Sequence, residues 1–174
     1  ALAFVPHSDV LLIAAKDGLK RRDLVTGDGG MILPGETNVS ALAFSKSGRW
    51  LAIGSDSGST QGLKVYDARA WTLTGSNTNL WFDPMFAAKA LAFSPDESVL
   101  VTAAGDPRMD ASELQCWDVP LLKALPFPPN TVKNAACVTF SPDGGQLFTG
   151  CWDGMVRVWD AATRTELPNR RSVQ

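Results

Sequence analysis

The chain has 174 residues, 45% of them hydrophobic and 20% charged. This is the composition of an ordinary globular domain, and the length suffices to bury a sizeable core. The 16 basic and 18 acidic residues give a formal net charge of -2, which argues against nucleic acid or an acidic membrane as the partner. The three cysteines are widely spaced, so they predict neither a zinc site nor a disulfide framework and favour a reducing, cytoplasmic compartment.

A four-residue motif recurs along the chain and marks an internal repeat. It reads ALAF where it ends at Phe4, Phe44 and Phe93, and CVTF where it ends at Phe140. After each copy come a short polar turn, a second apolar run, a turn containing aspartate, and a third run that ends in aspartate. The turn aspartates are Asp17, Asp56, Asp106 and Asp153, and those that end the third run are Asp23, Asp67, Asp118 and Asp160.

These short runs predict strands, because they are too short for amphipathic helices and rich in strand-forming residues. A weaker fourth strand is expected near 31–33, 80–82 and 125–127, with only the segment TELP available for it in the last unit. Four antiparallel strands per repeat predict an all-β propeller with four consecutive four-stranded blades. The blade boundaries are expected at about 1–37, 38–86, 87–134 and 135–174.

The ALAF strands lack polar alternation, as expected for strands covered on both faces. Their small residues suit a crowded position near the propeller axis, and the phenylalanine is expected to pack between adjacent blades. We therefore interpret the phenylalanine and tryptophan side chains as core rather than as a cage for a ligand.

The segment FSPDGGQLFTGCWDGMVRVWD, from Phe140 to Asp160, resembles the WD-repeat β-propeller family almost throughout. Two more units resemble it through ALAFSPDESVLVTAAGD with LQCWD, and through ALAFSKSGRWLAIGSDSG with LKVYD, in which Tyr66 replaces tryptophan. The first unit matches least, because Arg22 stands at the aromatic position.

The resemblance implies a hydrogen-bonded set of His, Ser or Thr, Asp and Trp inside each blade. In the last unit Thr149, Asp153 and Trp159 match three of the four, and the histidine is absent. We expect backbone N–H groups of the turns to satisfy the aspartates instead. The full structural set predicted for the blades is Asp106, Trp117, Asp118, Thr149, Asp153, Trp159 and Asp160.

The resemblance also implies that partners bind one face, formed by the loops before each first strand and between each second and third strand. Two inserted loops, SDSGSTQG and GDPRMDASE, fall on that face, and inserted loops on a rigid scaffold often bind partners. The candidate contact residues are Lys16, Asp17, Glu36, Asn38, Phe86, Lys89, Arg108, Met109, Lys133 and Trp152.

Family members commonly close with seven or eight blades, so four blades leave three alternatives. The chain is a fragment of a longer propeller, two copies pair to give eight blades, or four blades close alone. The first is favoured because the sequence does not begin with methionine, and the second comes next.

The function expected is that of a non-catalytic scaffold for a protein or peptide, with no cofactor and no metal. His7 is the one histidine, which gives a catalytic triad poor support. The alternatives are a regulatory or substrate-recognition module appended to an enzyme, a propeller enzyme with its site in the central channel, and a structural fragment whose end faces bind the rest of its own propeller.

Overall fold

A computed structural model describes residues 1–55, 62–77, 88–106, 111–127, 135–168 and 171–172, the side chains of 105–106, 111–113 and 171–172 excepted. The described residues form four antiparallel sheets of four strands each, in which neighbouring strands follow the chain order. The prediction of an all-β chain with four blades is therefore confirmed.

The strands fall into four blades in chain order. Blade 1 contains β1 (Leu2–Phe4), β2 (Val10–Ala15), β3 (Gly18–Asp23) and β4 (Gly29–Pro34). Blade 2 contains β5 (Val39–Phe44), β6 (Trp50–Ser55), β7 (Gly62–Asp67) and β8 (Thr72–Asn77). Blade 3 contains β9 (Ala88–Phe93), β10 (Val99–Asp106), β11 (Ala111–Asp118) and β12 (Ala124–Leu125). Blade 4 contains β13 (Ala135–Phe140), β14 (Gln146–Cys151), β15 (Met155–Asp160) and β16 (Arg171–Ser172).

The blades stack in sequence through their first strands, since β1 lies against β5, β5 against β9, and β9 against β13. The turns between first and second strands also meet from blade to blade. The Ser47 hydroxyl donates to the Glu97 carboxylate at 2.8 Å across blades 2 and 3. A Cβ built on Gly144 would lie 3.3 Å from the Pro95 ring across blades 3 and 4. These turns therefore share one edge of the assembly.

We call this edge the lower edge; it comprises the turns 5–9, 24–28, 45–49, 68–71, 94–98, 119–123, 141–145 and 161–165. Because antiparallel strands alternate in direction, the remaining connections lie at the opposite end. This upper edge includes the described segments 16–17, 35–38 and 152–154.

Three apolar cores lie between the blades. Between blades 1 and 2, Leu12 and Leu19 pack against Leu51 and Ile53. Corresponding cores lie between blades 2 and 3 and between blades 3 and 4. Each sheet has apolar side chains on both faces, as the ALAF pattern predicts, because a middle blade is covered on both sides.

The outward faces of blades 1 and 4 differ from the internal ones. Phe44, Phe93 and Phe140 each pack into the core shared with the preceding blade. Phe4 holds the same position in blade 1 but is 59% exposed. On blade 4, Cys137 is exposed on the face that points away from blade 3. The described residues thus form an arc of blades whose two end faces are uncovered.

The fourth strands are the elements that the sequence places least well. In blade 2 the strand is Thr72–Asn77, whereas the predicted segment 80–82 lies outside the described residues. Oδ1 of Asp67 accepts hydrogen bonds from the backbone N–H groups of Arg69 and Ala70, so the chain reverses at once after β7. In blade 4, Glu166 of the TELP segment forms an isolated bridge with Trp159, and the paired strand is β16.

Candidate interaction surface

In blades 1, 2 and 4 the aspartate that ends the third strand caps the turn that follows it. Oδ1 of Asp23 accepts from the N–H groups of Val25 and Thr26, each at 2.9 Å. Oδ1 of Asp160 accepts from the N–H group of Thr163 at 2.7 Å. These hydrogen bonds lower the pKa of each carboxyl below its usual range. The turns after β3 and β15 are therefore closed by ionised side chains.

Two blades contain a buried pair of tryptophan and threonine. The indole Nε1 of Trp117 donates to Oγ1 of Thr102 at 3.2 Å, and that of Trp159 donates to Thr149 at 3.1 Å. Both threonines and Trp159 are completely buried. Burying an indole N–H without an acceptor is costly, so each threonine fixes the third strand of its blade against the second.

In blade 2 a different set of residues provides the hydrogen-bond partner for the buried polar side chain of the third strand. Ile53 stands at the threonine position and Tyr66 at the tryptophan position. The Tyr66 hydroxyl and the Lys64 ammonium both donate to Oε1 of Glu36, each at 2.6 Å. Glu36 is only 7% exposed, and burial together with this carboxylate raises the pKa of Tyr66 above its usual range. Glu36 was predicted to contact a partner, but its side chain is used internally.

Asp153 in blade 4 is satisfied by two kinds of donor. Its Oδ1 accepts from the Met155 N–H group at 3.0 Å, as the sequence predicts. The Arg157 guanidinium adds a second interaction, with Nη2 lying 2.6 Å from Oδ2 of Asp153. This guanidinium, more than any other cause, lowers the pKa of the Asp153 carboxyl. Arg157 thus supplies the polar partner in blade 4, where no histidine is present, a role that its position in an apolar strand did not reveal.

Trp152 projects from the turn that this pair stabilises. It is 60% exposed, although tryptophan is usually largely covered. Asp153 and Gly154 follow it in the turn between β14 and β15, and Gly154 adopts a φ of 78°, which favours glycine. A large aromatic side chain is therefore presented to solvent on a rigid turn at the upper edge.

The other predicted contact residues fall into three groups. Lys16, Asp17, Asn38 and Lys89 are exposed on blades 1 to 3, and Asp17 forms an ion pair with Lys20 at 2.9 Å. Glu36 is buried. Phe86, Arg108, Met109 and Lys133 lie outside the described residues.

The predicted structural set has the following geometry. Five of its members make the hydrogen bonds described above: Trp117, Thr149, Asp153, Trp159 and Asp160. The backbone of Asp118 accepts from the Leu122 N–H group at 2.9 Å. Asp106 ends β10 opposite Ala111.

A cavity of about 260 Å³ opens between blades 3 and 4 at the lower edge. The sequence did not suggest it, because its walls come from five separate segments. Its lining includes Val99, Cys116 and Leu147, together with Asp143 and Arg164.

Within the part of the chain that the structure describes, no three His, Cys, Asp or Glu side chains are placed to hold a metal ion. The same part contains no helix with the length and apolar character needed to cross a membrane.

Comparison with known sequences decides the family. The family model described as "WD domain, G-beta repeat" matches residues 27–61 and 128–160. The chain carries WD repeats. The second match covers most of blade 4, including the Thr149 and Trp159 pair, and the first runs from the end of blade 1 into blade 2.

Several relatives with WD repeats are similar to this chain. Cilia- and flagella-associated protein 52 of Macaca fascicularis is 31% identical over 139 residues, which cover 77% of this chain and 22% of that protein. Transcription factor unc-37 of Caenorhabditis elegans is 29% identical over 133 residues, covering 76% and 20%. An uncharacterised WD repeat-containing protein of Synechocystis is 27% identical over 157 residues, covering 86% and 40%. The chain therefore spans about a fifth of the length of the first relatives and two fifths of the third.

Proposed function

We propose that the chain is a non-catalytic scaffold that binds a protein or peptide at its upper edge, with Trp152 as the principal anchor. The observation that carries the proposal is the 60% exposure of Trp152 on a turn held by the Asp153–Arg157 pair. Tryptophan is enriched among the residues that dominate binding energy, and a rigid turn loses little entropy on binding.

The surroundings of Trp152 support a protein or peptide partner. The other blades present exposed polar side chains on the same edge, namely those of Lys16, Asp17, Asn38 and Lys89. An aromatic anchor with polar groups at a distance is the usual arrangement in protein interfaces.

Two observations favour a scaffold over an enzyme. His7 is exposed in the turn between β1 and β2, at the lower edge and far along the arc from Trp152. The buried ionisable residues Glu36 and Arg157 are occupied by internal partners. Their arrangement serves the stability of the blades, and we therefore propose no reaction and no cofactor for them.

The test is affinity capture with the chain and two variants. Proteins retained by the chain are identified by mass spectrometry, and the dissociation constant of a purified partner is then measured. Trp152→Ala is expected to weaken binding by about 2 kcal/mol, roughly thirtyfold. The matched control is Leu121→Ala at the lower edge, where a side chain of 69% exposure is removed. Equal loss in both variants, or none in Trp152→Ala, would contradict the proposed anchor.

The uncovered end faces form a second candidate contact surface. Leu2 and Phe4 expose apolar area that the corresponding residues of blades 2 to 4 cover at least partly, and such patches mark interaction sites. We propose that these faces pack on a second copy or on further blades. Light scattering separates the two: a dimer that Phe4→Asp dissociates supports a second copy, and a monomer at all concentrations contradicts it.

A further inference from the structure

The cavity between blades 3 and 4 arises from two positions at which this interface differs from its neighbour. Val99 begins β10 and pairs with Asp118, as Trp50 begins β6 and pairs with Asp67. Trp50 fills the core between blades 2 and 3. The smaller valine leaves that volume empty in the core between blades 3 and 4.

The second difference is in the turn after the third strand. Trp71, Leu122 and Arg164 each lie four residues after the aspartate that ends that strand, with φ between 54° and 58°. Trp71 and Leu122 pack into the cores that their blades share with the preceding blade. Arg164 is instead polar, and its Nη1 donates to the Pro126 carbonyl at 2.6 Å. The space that an apolar side chain occupies at the other two interfaces is therefore open here.

The cavity has an apolar floor and an acidic mouth. Val101, Cys116 and Leu147 are almost completely buried and form the floor. The mouth carries three carboxylates, Asp96, Asp143 and Asp160, and the Arg164 guanidinium lies deeper in the cavity, where it interacts with the Cys116 thiol.

The carboxylates at the mouth are ionised. The Ser94 hydroxyl, first among several donors, lowers the pKa of Asp96. The Ser141 hydroxyl does the same for Asp143, and the Thr163 N–H group for Asp160. Because these three carboxylates outnumber the single guanidinium of Arg164, which donates to the Pro126 carbonyl, the potential around the apolar opening is negative.

We propose that this cavity binds one apolar side chain of a partner protein, flanked in the partner's sequence by lysine or arginine residues that pair with Asp96, Asp143 and Asp160. The volume of about 260 Å³ is below that of pockets for drug-sized ligands, which begin at about 300 Å³. It exceeds the roughly 150 Å³ of a cavity that holds benzene, so it has room for a leucine, methionine or phenylalanine side chain. The site lies on the lower edge and is separate from the upper-edge surface that includes Trp152.

The probe is a fluorescent peptide of sequence Gly-Ser-Lys-Leu-Arg-Ser-Gly, titrated with the whole 174-residue chain and followed by anisotropy. We expect a dissociation constant on the order of 0.1 mM, typical of a single small anchor. Replacing the leucine by glycine, or both cations by glutamate, is expected to weaken binding at least tenfold. Binding is also expected to weaken as salt rises from about 0.05 M to about 0.3 M.

Val99→Trp is the decisive variant, because Trp50 shows that tryptophan fits at the matching position of the neighbouring interface. It is expected to abolish peptide binding and to keep or raise the melting temperature. A second variant, Asp143→Asn with Asp160→Asn, keeps the oxygens that accept the turn hydrogen bonds but removes two charges. It is expected to weaken binding about tenfold and to reduce the salt dependence, and it tests the site even if Val99→Trp fails to fold.

Trp152→Ala separates this inference from the proposed upper-edge site, since it is expected to leave the peptide's affinity unchanged. Equal binding by folded Val99→Trp, or equal binding of the glutamate peptide, would overturn the inference. Absence of binding up to about 1 mM peptide would also overturn it and would identify the cavity as a packing defect.

Discussion

The Tyr66 hydroxyl donates to Oε1 of Glu36 at 2.6 Å, in the blade where Ile53 replaces the threonine that pairs with tryptophan in blades 3 and 4. A carboxylate from the preceding connection thus supplies the acceptor that the second strand lacks. The interaction also ties the link between blades 1 and 2 to the interior of blade 2.

The first prediction concerns Tyr66 at alkaline pH. The unfolded chain releases the phenolic proton near pH 10, and the folded chain at a higher pH, because burial and Glu36 raise the pKa of Tyr66. The contribution of the Tyr66 phenol to the free energy of unfolding is therefore fully present below about pH 10, and it is lost as the pH rises above that value. Tyr66 is the only tyrosine, so tyrosinate absorbance is expected to appear only with unfolding. A reversible titration near pH 10 in the folded chain would contradict the geometry.

Tyr66→Phe removes the donor and is expected to cost about 1.5–3 kcal/mol at neutral pH, the usual value for a hydrogen bond to a charged group. The double variant Tyr66→Trp with Ile53→Thr recreates the pair found in blades 3 and 4. It is expected to be more stable than either single variant in urea unfolding. Additive effects of the two substitutions would show that no such pair forms.

The second prediction concerns Arg157 and Asp153 at acid pH. Arg157 lowers the pKa of Asp153, so the stabilisation is present above the ordinary value of about 3.9 and is lost as pH falls through the folded value. Arg157→Gln, which copies Gln115 at the same position of blade 3, is expected to flatten the dependence of stability on pH between about 5 and 2. The measurement is urea unfolding at several pH values. If the free energy of unfolding depends on pH in the same way in the unchanged chain and in Arg157→Gln, the stabilising role of the Asp153–Arg157 pair is contradicted.

Asp153→Asn is expected to lower the melting temperature more than Arg157→Gln does. The Arg157 side chain is only 8% exposed, and without Asp153 its remaining carboxylate, Glu166, lies 3.9 Å away. A buried charge that loses its close partner destabilises strongly, whereas Arg157→Gln leaves behind only the Asp153 carboxylate, whose side chain is 36% exposed. The reverse order of melting temperatures would contradict this assignment.

The third prediction compares two glycines of fourth strands. A Cβ on Gly75 would collide with the Pro120 carbonyl oxygen of blade 3, whereas a Cβ on Gly30 meets nothing within 4 Å. Gly75→Ala is expected to lower the free energy of unfolding by about 1–3 kcal/mol. Gly30→Ala is expected to leave it unchanged or raise it by up to about 1 kcal/mol. Similar melting temperatures for both variants would show that β8 does not pack against that turn.

The fourth prediction concerns the order of cysteine alkylation. Burial raises the pKa of Cys116 to about 11, and it also raises that of Cys151. Cys137 is exposed. Iodoacetamide is therefore expected to modify Cys137 first, Cys151 next and Cys116 last, because the thiolate is the nucleophile and must be reached. Peptide mass spectrometry against time gives the order, and early modification of Cys116 would contradict the burial of this thiol at the floor of the cavity.

The local pattern of the sequence predicted the four units, their first three strands and the capping of turns by aspartate. These features depend on residues only a few positions apart in the sequence, so the pattern of apolar and polar residues in each short run is enough to predict them. The fourth strands are less clear because they are largely exposed. Thr72–Asn77 pairs through its backbone and needs no apolar run.

Tertiary structure alone decided which side chains meet across blades. Glu36 is polar in a connection and looked like a surface residue, but Lys64 and Tyr66, about thirty positions later, bring it into the interior. The cavity at the lower edge likewise depends on Val99 and Arg164, each ordinary in its own segment. Sequence determines a blade because its contacts are local, whereas the space between blades is set by side-chain volumes from distant segments that only packing brings together.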